Sequence, residues 1–188
     1  MDMRKTLERI LIEQCAPTLA GLKTGNVFNY QIRSKENVNT CIAYWNDKLA
    51  RRGICMAVLR QCGYKALIYV YRKRKLAADL RDPKTAGFLK NLGYDPNSAD
   101  MCVRYLKERI DDSPGFPHEI GLFLGYPLHD VIGFIENSGK NFHCCGCWKV
   151  YYDQYTAKKR FDMYKKCRSV YLNMFQKGKS IMQLTVSA

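Results

Sequence analysis

Two apolar runs separated by a tight turn restrict what this chain can fold into more than any other feature. Ile54-Cys55-Met56-Ala57-Val58-Leu59 and Ala66-Leu67-Ile68-Tyr69-Val70-Tyr71 are rich in aliphatic and aromatic residues, and Cys62-Gly63-Tyr64 lies between them. Short apolar runs of this kind, bounded by turn residues, read as buried strands. So short a gap has no room for the crossover that parallel strands require, so the pair is expected to be a β-hairpin at the centre of a sheet. Arg72-Lys73-Arg74-Lys75 follows at once. It lacks the aromatic interleaving of single-strand nucleic-acid binders and reads as a solvated basic run leaving the sheet.

The segments around the hairpin read mainly as helices. Residues 3–14 place Leu7, Ile10 and Leu11 on one face, and Cys15-Ala16-Pro17 is expected to stop that helix. A short strand follows at 27–30, then a helix at about 36–52, capped by Ser34, with Val38, Ile42, Trp45 and Leu49 inward. Helices are expected near 73–80, 83–92 and 98–111, the second started by Asp82-Pro83 and the third capped by Ser98. Two short helices, 118–124 and 128–135, flank Gly125-Tyr126-Pro127, and a strand is expected at 148–152. A long helix over 154–177 carries Phe161, Tyr164, Cys167, Tyr171 and Phe175 on its apolar side, and 181–186 reads as a terminal strand. The fold expected is a single α/β (or α+β) domain over 1–188, a small mixed β-sheet flanked by helices.

A chain of 188 residues with 47% hydrophobic content can bury a substantial core and is not disordered. No apolar run approaches the length that spans a bilayer, and the N-terminus lacks the apolar block of a signal peptide. A cytoplasmic protein without membrane insertion is therefore expected. The net charge of +14 is uneven: residues 1–76 hold 15 basic against 5 acidic residues (+10), 77–137 hold 6 against 10 (−4), and 138–188 hold 10 against 2 (+8). Two basic segments of this strength suit an acidic protein or nucleic acid as partner.

The residues with the most chemistry crowd into one span. All three histidines, His118, His129 and His143, and three of the nine cysteines lie between Phe116 and Trp148. Cys144-Cys145-Gly146-Cys147 contains a C-x-x-C, two thiols that can chelate one metal ion or form a disulfide. A strand is expected after it, where a thioredoxin-like site needs a helix, so a metal knuckle or packing role is the better reading. With His143 or His118 as further ligands, zinc or iron is a possible cofactor. His118-Glu119 begins a helix at a bend, where His118 suits a general acid/base and Glu119 suits the positive helix end. Cys15 is a candidate nucleophile that His118 would serve, a pairing across the sequence that only folding can test. Phosphate-loop, dinucleotide, H-E-x-x-H and G-x-S-x-G patterns are absent from the sequence.

Three passages carry a family resemblance: Cys15-Ala-Pro-Thr-Leu-Ala-Gly-Leu-Lys-Thr-Gly-Asn-Val-Phe28, Phe116-Pro-His-Glu-Ile-Gly-Leu-Phe-Leu-Gly-Tyr-Pro-Leu128 with Asp130-Val131 and Gly133-Phe134-Ile135, and Cys147-Trp-Lys-Val-Tyr151. Together they resemble a family of bacterial proteins of unknown function, about 190 residues long and mainly from anaerobic Gram-positive bacteria. The resemblance spans essentially the whole chain and brings no assigned activity. Thr18, Lys23, Trp148 and Lys149, which lie within these passages, are candidate binding residues. The resemblance also implies a setting near flavodoxins and iron uptake, which makes an acidic, flavodoxin-like protein a candidate partner. The function expected is a cytoplasmic redox- or metal-linked protein with a Cys/His site. The alternatives are a non-catalytic basic interaction protein and a small-molecule enzyme using Cys15 and His118.

Overall fold

A computed structural model describes residues 3–32, 37–112 and 116–187. The first part of the chain runs α1 (Met3–Leu19), β1 (Gly25–Gln31), α2 (Val38–Leu49), β2 (Ile54–Cys62) and β3 (Lys65–Arg72). Then come α3 (Lys73–Arg81), α4 (Pro83–Asn91), α5 (Ala99–Asp112), α6 (Ile120–Phe123) and α7 (Leu128–Glu136). The last part is β4 (Cys144–Cys145), β5 (Lys149–Val150), α8 (Gln154–Gln176) and α9 (Ile181–Leu184). The class is mixed α and β, as expected. By its internal contacts the chain forms two compact units, the first of Met1–Leu76 with Cys167–Ala188 and the second of Ala77–Lys166.

The first unit is built on the expected hairpin. β2 and β3 pair antiparallel from Ile54↔Arg72 to Cys62↔Lys65, with a bulge between Val58 and Arg60, and Gly63 takes φ 53° in the two-residue turn. β1 pairs antiparallel with the other edge of β3, Gly25↔Tyr71 to Gln31↔Lys65, which gives the order β1-β3-β2. β3 is therefore central and apolar along most of its length. The core gathers Leu7 and Leu11 of α1, Phe28 of β1, Ile42 and Trp45 of α2, Ile68 of β3 and Leu184 of α9. Asn46 of α2 holds the edge strand by donating to the Met56 carbonyl (3.0 Å) and accepting from the Met56 N–H (2.7 Å). The expected cap Ser34 lies outside the described residues; the α2 N-cap is Asn37, whose side chain accepts from the Thr40 N–H.

Four expectations change here. The sheet is wholly antiparallel rather than mixed, and the predicted strand at 148–152 belongs to a separate hairpin, β4-β5. Residues 181–184 are a helix rather than a strand, because Ser180 and Gln183 form a capping box that satisfies its N-terminus. Helix α1 also runs through Pro17 to Leu19 instead of stopping before it. Proline removes one hydrogen bond from that turn. The turn survives because Cys15, Ala16, Pro17, Thr18 and Leu19 are all buried and its last carbonyls find other donors.

Arg72 is the chief of those donors. It is 4% exposed, so the basic run at the end of β3 starts with a buried guanidinium and only Lys73, Arg74 and Lys75 are solvated. Its Nε donates to the Thr18 carbonyl (2.6 Å), and one terminal nitrogen donates to Leu19 (2.6 Å) and Val186 (2.8 Å). The Val186 N–H in turn donates to the Leu19 carbonyl at 3.0 Å. Gly21, at φ 80°, bends the chain away beside the guanidinium in a conformation that favours glycine.

In the second unit, Asp82 caps α4 by accepting from the Thr85 N–H (3.1 Å), and Ser98 accepts from the Met101 N–H (3.3 Å) at the start of α5. Both were expected from the sequence. Cys102, Leu106 and Ile110 of α5 face inward, while Met101 is 48% exposed and Val103 is buried instead. The two short helices α6 and α7 lie on either side of Gly125-Tyr126-Pro127 as expected, and Gly125 has φ 77°. Among the described residues no helix is long and apolar enough to cross a membrane.

Arg72→Leu removes the charged donor from three carbonyls, of which Thr18 and Leu19 keep the Gly21 and Val186 N–H groups, and hydrogen bonds to a charged group contribute about 1.5–3 kcal/mol each. Urea unfolding is expected to show a loss of about 3 kcal/mol or more, against less than about 0.5 kcal/mol for Arg74→Leu in the same basic run. Equal, small effects of the two substitutions would remove Arg72 from this role.

Candidate functional site

A cleft of about 340 Å³ opens in the second unit, and every residue that lines it lies between Phe116 and Lys149. Three pieces of chain make its walls: the bend at Phe116–Gly121, helix α7, and the β4-β5 hairpin. Two glycines allow the walls to approach. A Cβ on Gly121 would lie 2.8 Å from Val131 Cγ2, and one on Gly146 would overlap the Phe161 ring.

Asp130 fixes the hairpin to α7. It is 3% exposed; one carboxylate oxygen accepts from the Trp148 indole N–H (2.8 Å) and the other from the Tyr151 backbone N–H (2.8 Å). Trp148 is then held between two rings, stacked on Tyr126 with centroids 4.9 Å apart and edge-on to Phe161 at 4.6 Å. The Tyr126 hydroxyl donates to the Cys147 carbonyl (3.0 Å), and burial pushes its pKa well up. Lys149 donates to the Gly139 carbonyl (2.7 Å) and sits over the rings of Phe134 (5.6 Å) and Phe142 (4.9 Å).

His118 is exposed at the rim. Its ring lies edge-on to Phe134, centroids 4.9 Å apart, and neither nitrogen has a hydrogen-bond partner among the described residues. Its neighbour Glu119 is 3% exposed and accepts from the Tyr94 hydroxyl (2.9 Å) and the Arg109 Nε (2.5 Å). Burial, followed by the Glu119 charge, drives the Tyr94 pKa far up. Glu119 is thus an anchor that joins the bend to α4–α5, and its position leaves it unsuited to exchange protons with a ligand.

The structure brings His118, Cys145, Cys147, Trp148 and Lys149 to this one cleft. Cys144 points to the other side of its strand, packed against the cluster around Trp148 and Val150. His143 is exposed outside the lining, its backbone N–H donating to the Val150 carbonyl. Among the described residues no group of three His, Cys, Asp or Glu side chains is placed to hold a metal ion. Cys15, Thr18 and Lys23 belong to the first unit. Cys15 is wholly buried, and burial pushes its thiol pKa up to about 12, so it is protonated at neutral pH. Thr18 donates to the Asn26 side chain (2.8 Å), and the buried Lys23 ammonium donates to the Gly25 carbonyl (2.7 Å). These two residues support a local turn.

Sequence reasoning missed Phe134, Tyr126 and Asp130 as parts of the site. Asp130 and Phe134 are four apart on α7, which places them on one helical face. That spacing was the available signal.

The two units define a small mixed α/β protein with an aromatic-walled cleft. The chain belongs to the family of proteins of unknown function DUF3793, whose model matches residues 11–185. No curated protein and no solved structure matches it.

Alkylation of the native protein with iodoacetamide, mapped by peptide mass, is expected to reach the exposed Cys62, Cys145 and Cys147 first. Cys15 and Cys102, the latter raised by burial to about 11, are expected to react only after denaturation. Early labelling of Cys15 would contradict its burial.

Proposed function

We propose that the second unit binds a small, largely apolar molecule in this cleft, with His118 and the Cys145 and Cys147 thiols as the reactive groups at its rim. The observation that carries the reading is the lining itself. Phe116, Ile120, Tyr126, Val131, Phe134 and Trp148 make a mostly apolar hollow of about 340 Å³ with a few convergent polar groups, the usual make-up of a small-molecule site. Redox chemistry remains part of the proposal through the two exposed thiols on either side of Gly146. Zinc or iron is left out of it, since no three-ligand group is in place among the described residues. The Cys15/His118 pair is not carried forward, because a protonated and wholly buried thiol is a poor nucleophile.

Titration with the neutral, apolar fluorophore N-phenyl-1-naphthylamine tests the cleft. One saturable site per chain is expected, weakened about tenfold or more by Phe134→Glu, which places a charge in the apolar wall. Tyr152→Glu, at a residue 75% exposed and outside the lining, is expected to leave binding unchanged. Absence of a saturable site, or equal effects of the two substitutions, would sink this reading.

A second reading concerns α8. It exposes Lys158, Lys159, Lys165, Lys166 and Arg168 against one acid, Asp162, which supports docking of an acidic protein of the flavodoxin type. Binding of a flavodoxin, followed by fluorescence anisotropy, is expected to weaken steeply between about 0.05 and 0.5 M salt. Reversing Lys158, Lys159, Lys165 and Lys166 to Glu is expected to abolish it. Binding insensitive to both changes would exclude the electrostatic partner.

A further inference from the structure

We infer that the ligand of this cleft is an apolar ring system carrying an anionic group, held by the Lys149 ammonium and the His118 imidazole, both of which lie close to the Phe134 ring. The inference rests on the cleft being a small-molecule site and adds the ligand's charge. It follows from which charges in the cleft are already matched. Asp130 lines the cleft, but both its oxygens accept hydrogen bonds, from Trp148 and from the Tyr151 backbone. Glu119, next to His118, is paired with Arg109 and Tyr94. The acids are therefore satisfied within the wall.

The cations are not. An ammonium has three donors, and Lys149 has one hydrogen-bond acceptor, the Gly139 carbonyl, its other contacts being the faces of Phe134 and Phe142. Among the described residues His118 has only its ring contact with Phe134. Both groups lie within 6 Å of that one aromatic ring, Lys149 at 5.6 Å and His118 at 4.9 Å. A ligand ring packed against Phe134 would bring a carboxylate or similar group within reach of one or both. Charge-assisted hydrogen bonds of this kind are stronger than neutral ones.

The other ionisable groups facing the site are Tyr126 before α7, Asp130 on α7, and Cys145 and Cys147 from the hairpin, with His129 exposed beside Asp130.

Calorimetric titration of the full-length protein with three probes sharing one ring tests this: 2-naphthoate, neutral 2-naphthamide and cationic 2-naphthylmethylamine. The naphthoate is expected to bind about tenfold tighter than the amide, a gap of about 1.4 kcal/mol. Lys149→Met is expected to erase that preference while leaving amide binding in place, and Lys149→Arg to preserve it. His118→Gln is expected to weaken naphthoate binding relative to the amide, and His129→Gln, outside the lining, to leave both unchanged. Should the amide match the naphthoate, or the amine bind most tightly, the anion inference is overturned while the apolar cleft stands. If none of the three binds, the cleft reading falls and this one with it. A Lys149→Met chain that does not fold leaves the preference of the wild-type protein and its loss in His118→Gln as sufficient tests.

Discussion

The first unit depends on a buried guanidinium that has no carboxylate beside it among the described residues. A helix ends with carbonyls that its own backbone cannot use, and the aligned peptide dipoles make that end partly negative. The end of α1 is buried, so water cannot satisfy those carbonyls. Arg72, the last residue of β3, does so with its planar fork, reaching Thr18 and Leu19 at the helix end and Val186 in the C-terminal segment. A lysine, with one nitrogen in place of a fork, has no comparable way to span three carbonyls. Burial pushes the guanidinium pKa below its ordinary value, which nearby Tyr171 partly offsets. One side chain therefore joins the first helix, the central strand and the segment after α9. The passage of α1 through Pro17 is a consequence: the turn that the proline weakens is held from outside.

The second unit uses the same device with the opposite sign. Asp130 and Glu119 are both 3% exposed, and each takes donors from a different part of the chain. Asp130 gathers the hairpin through Trp148 and Tyr151; Glu119 gathers the α4–α5 connection and α5 through Tyr94 and Arg109. A short hairpin with two residues per strand has little stability of its own. It is ordered here because its tryptophan is pinned at the indole nitrogen and packed between Tyr126 and Phe161. The cleft exists because these anchors hold the bend, α7 and the hairpin apart at fixed spacing.

What was legible in the sequence follows from the range of the interactions involved. Local rules placed the 54–71 hairpin, the Asp82-Pro83 start, the Ser98 cap, the break at Gly125-Tyr126-Pro127 and the long helix α8, since each depends on neighbours within a few residues. The crowding of histidine and cysteine between Phe116 and Trp148 also located the cleft. The errors share a cause. Arg72 read as solvated because its partners are 53 or more positions away, and Glu119 read as a possible acid/base because Arg109 and Tyr94 come from α5 and the connection before it. The 181–186 segment is different: its capping box, Ser180-x-x-Gln183, was present in the sequence and outweighs the apolar alternation that suggested a strand.

The same reasoning explains why counting chemically capable residues overstated some of them. Nine cysteines share one side chain, yet burial separates them sharply: Cys15 has its thiol raised to about 12, Cys102 to about 11, and Cys145 lies exposed at the rim of the cleft. Charge is sorted in a similar way. The segment from 77 to 137 is acidic by composition, but its two acids closest to the cleft are consumed in holding the walls together. The field inside the cleft is set by the groups left over after folding, and Lys149 lines it with one hydrogen bond among the described residues. Composition alone points to an acidic middle of the chain; folding pairs the acid that lines the cleft, Asp130, within its wall.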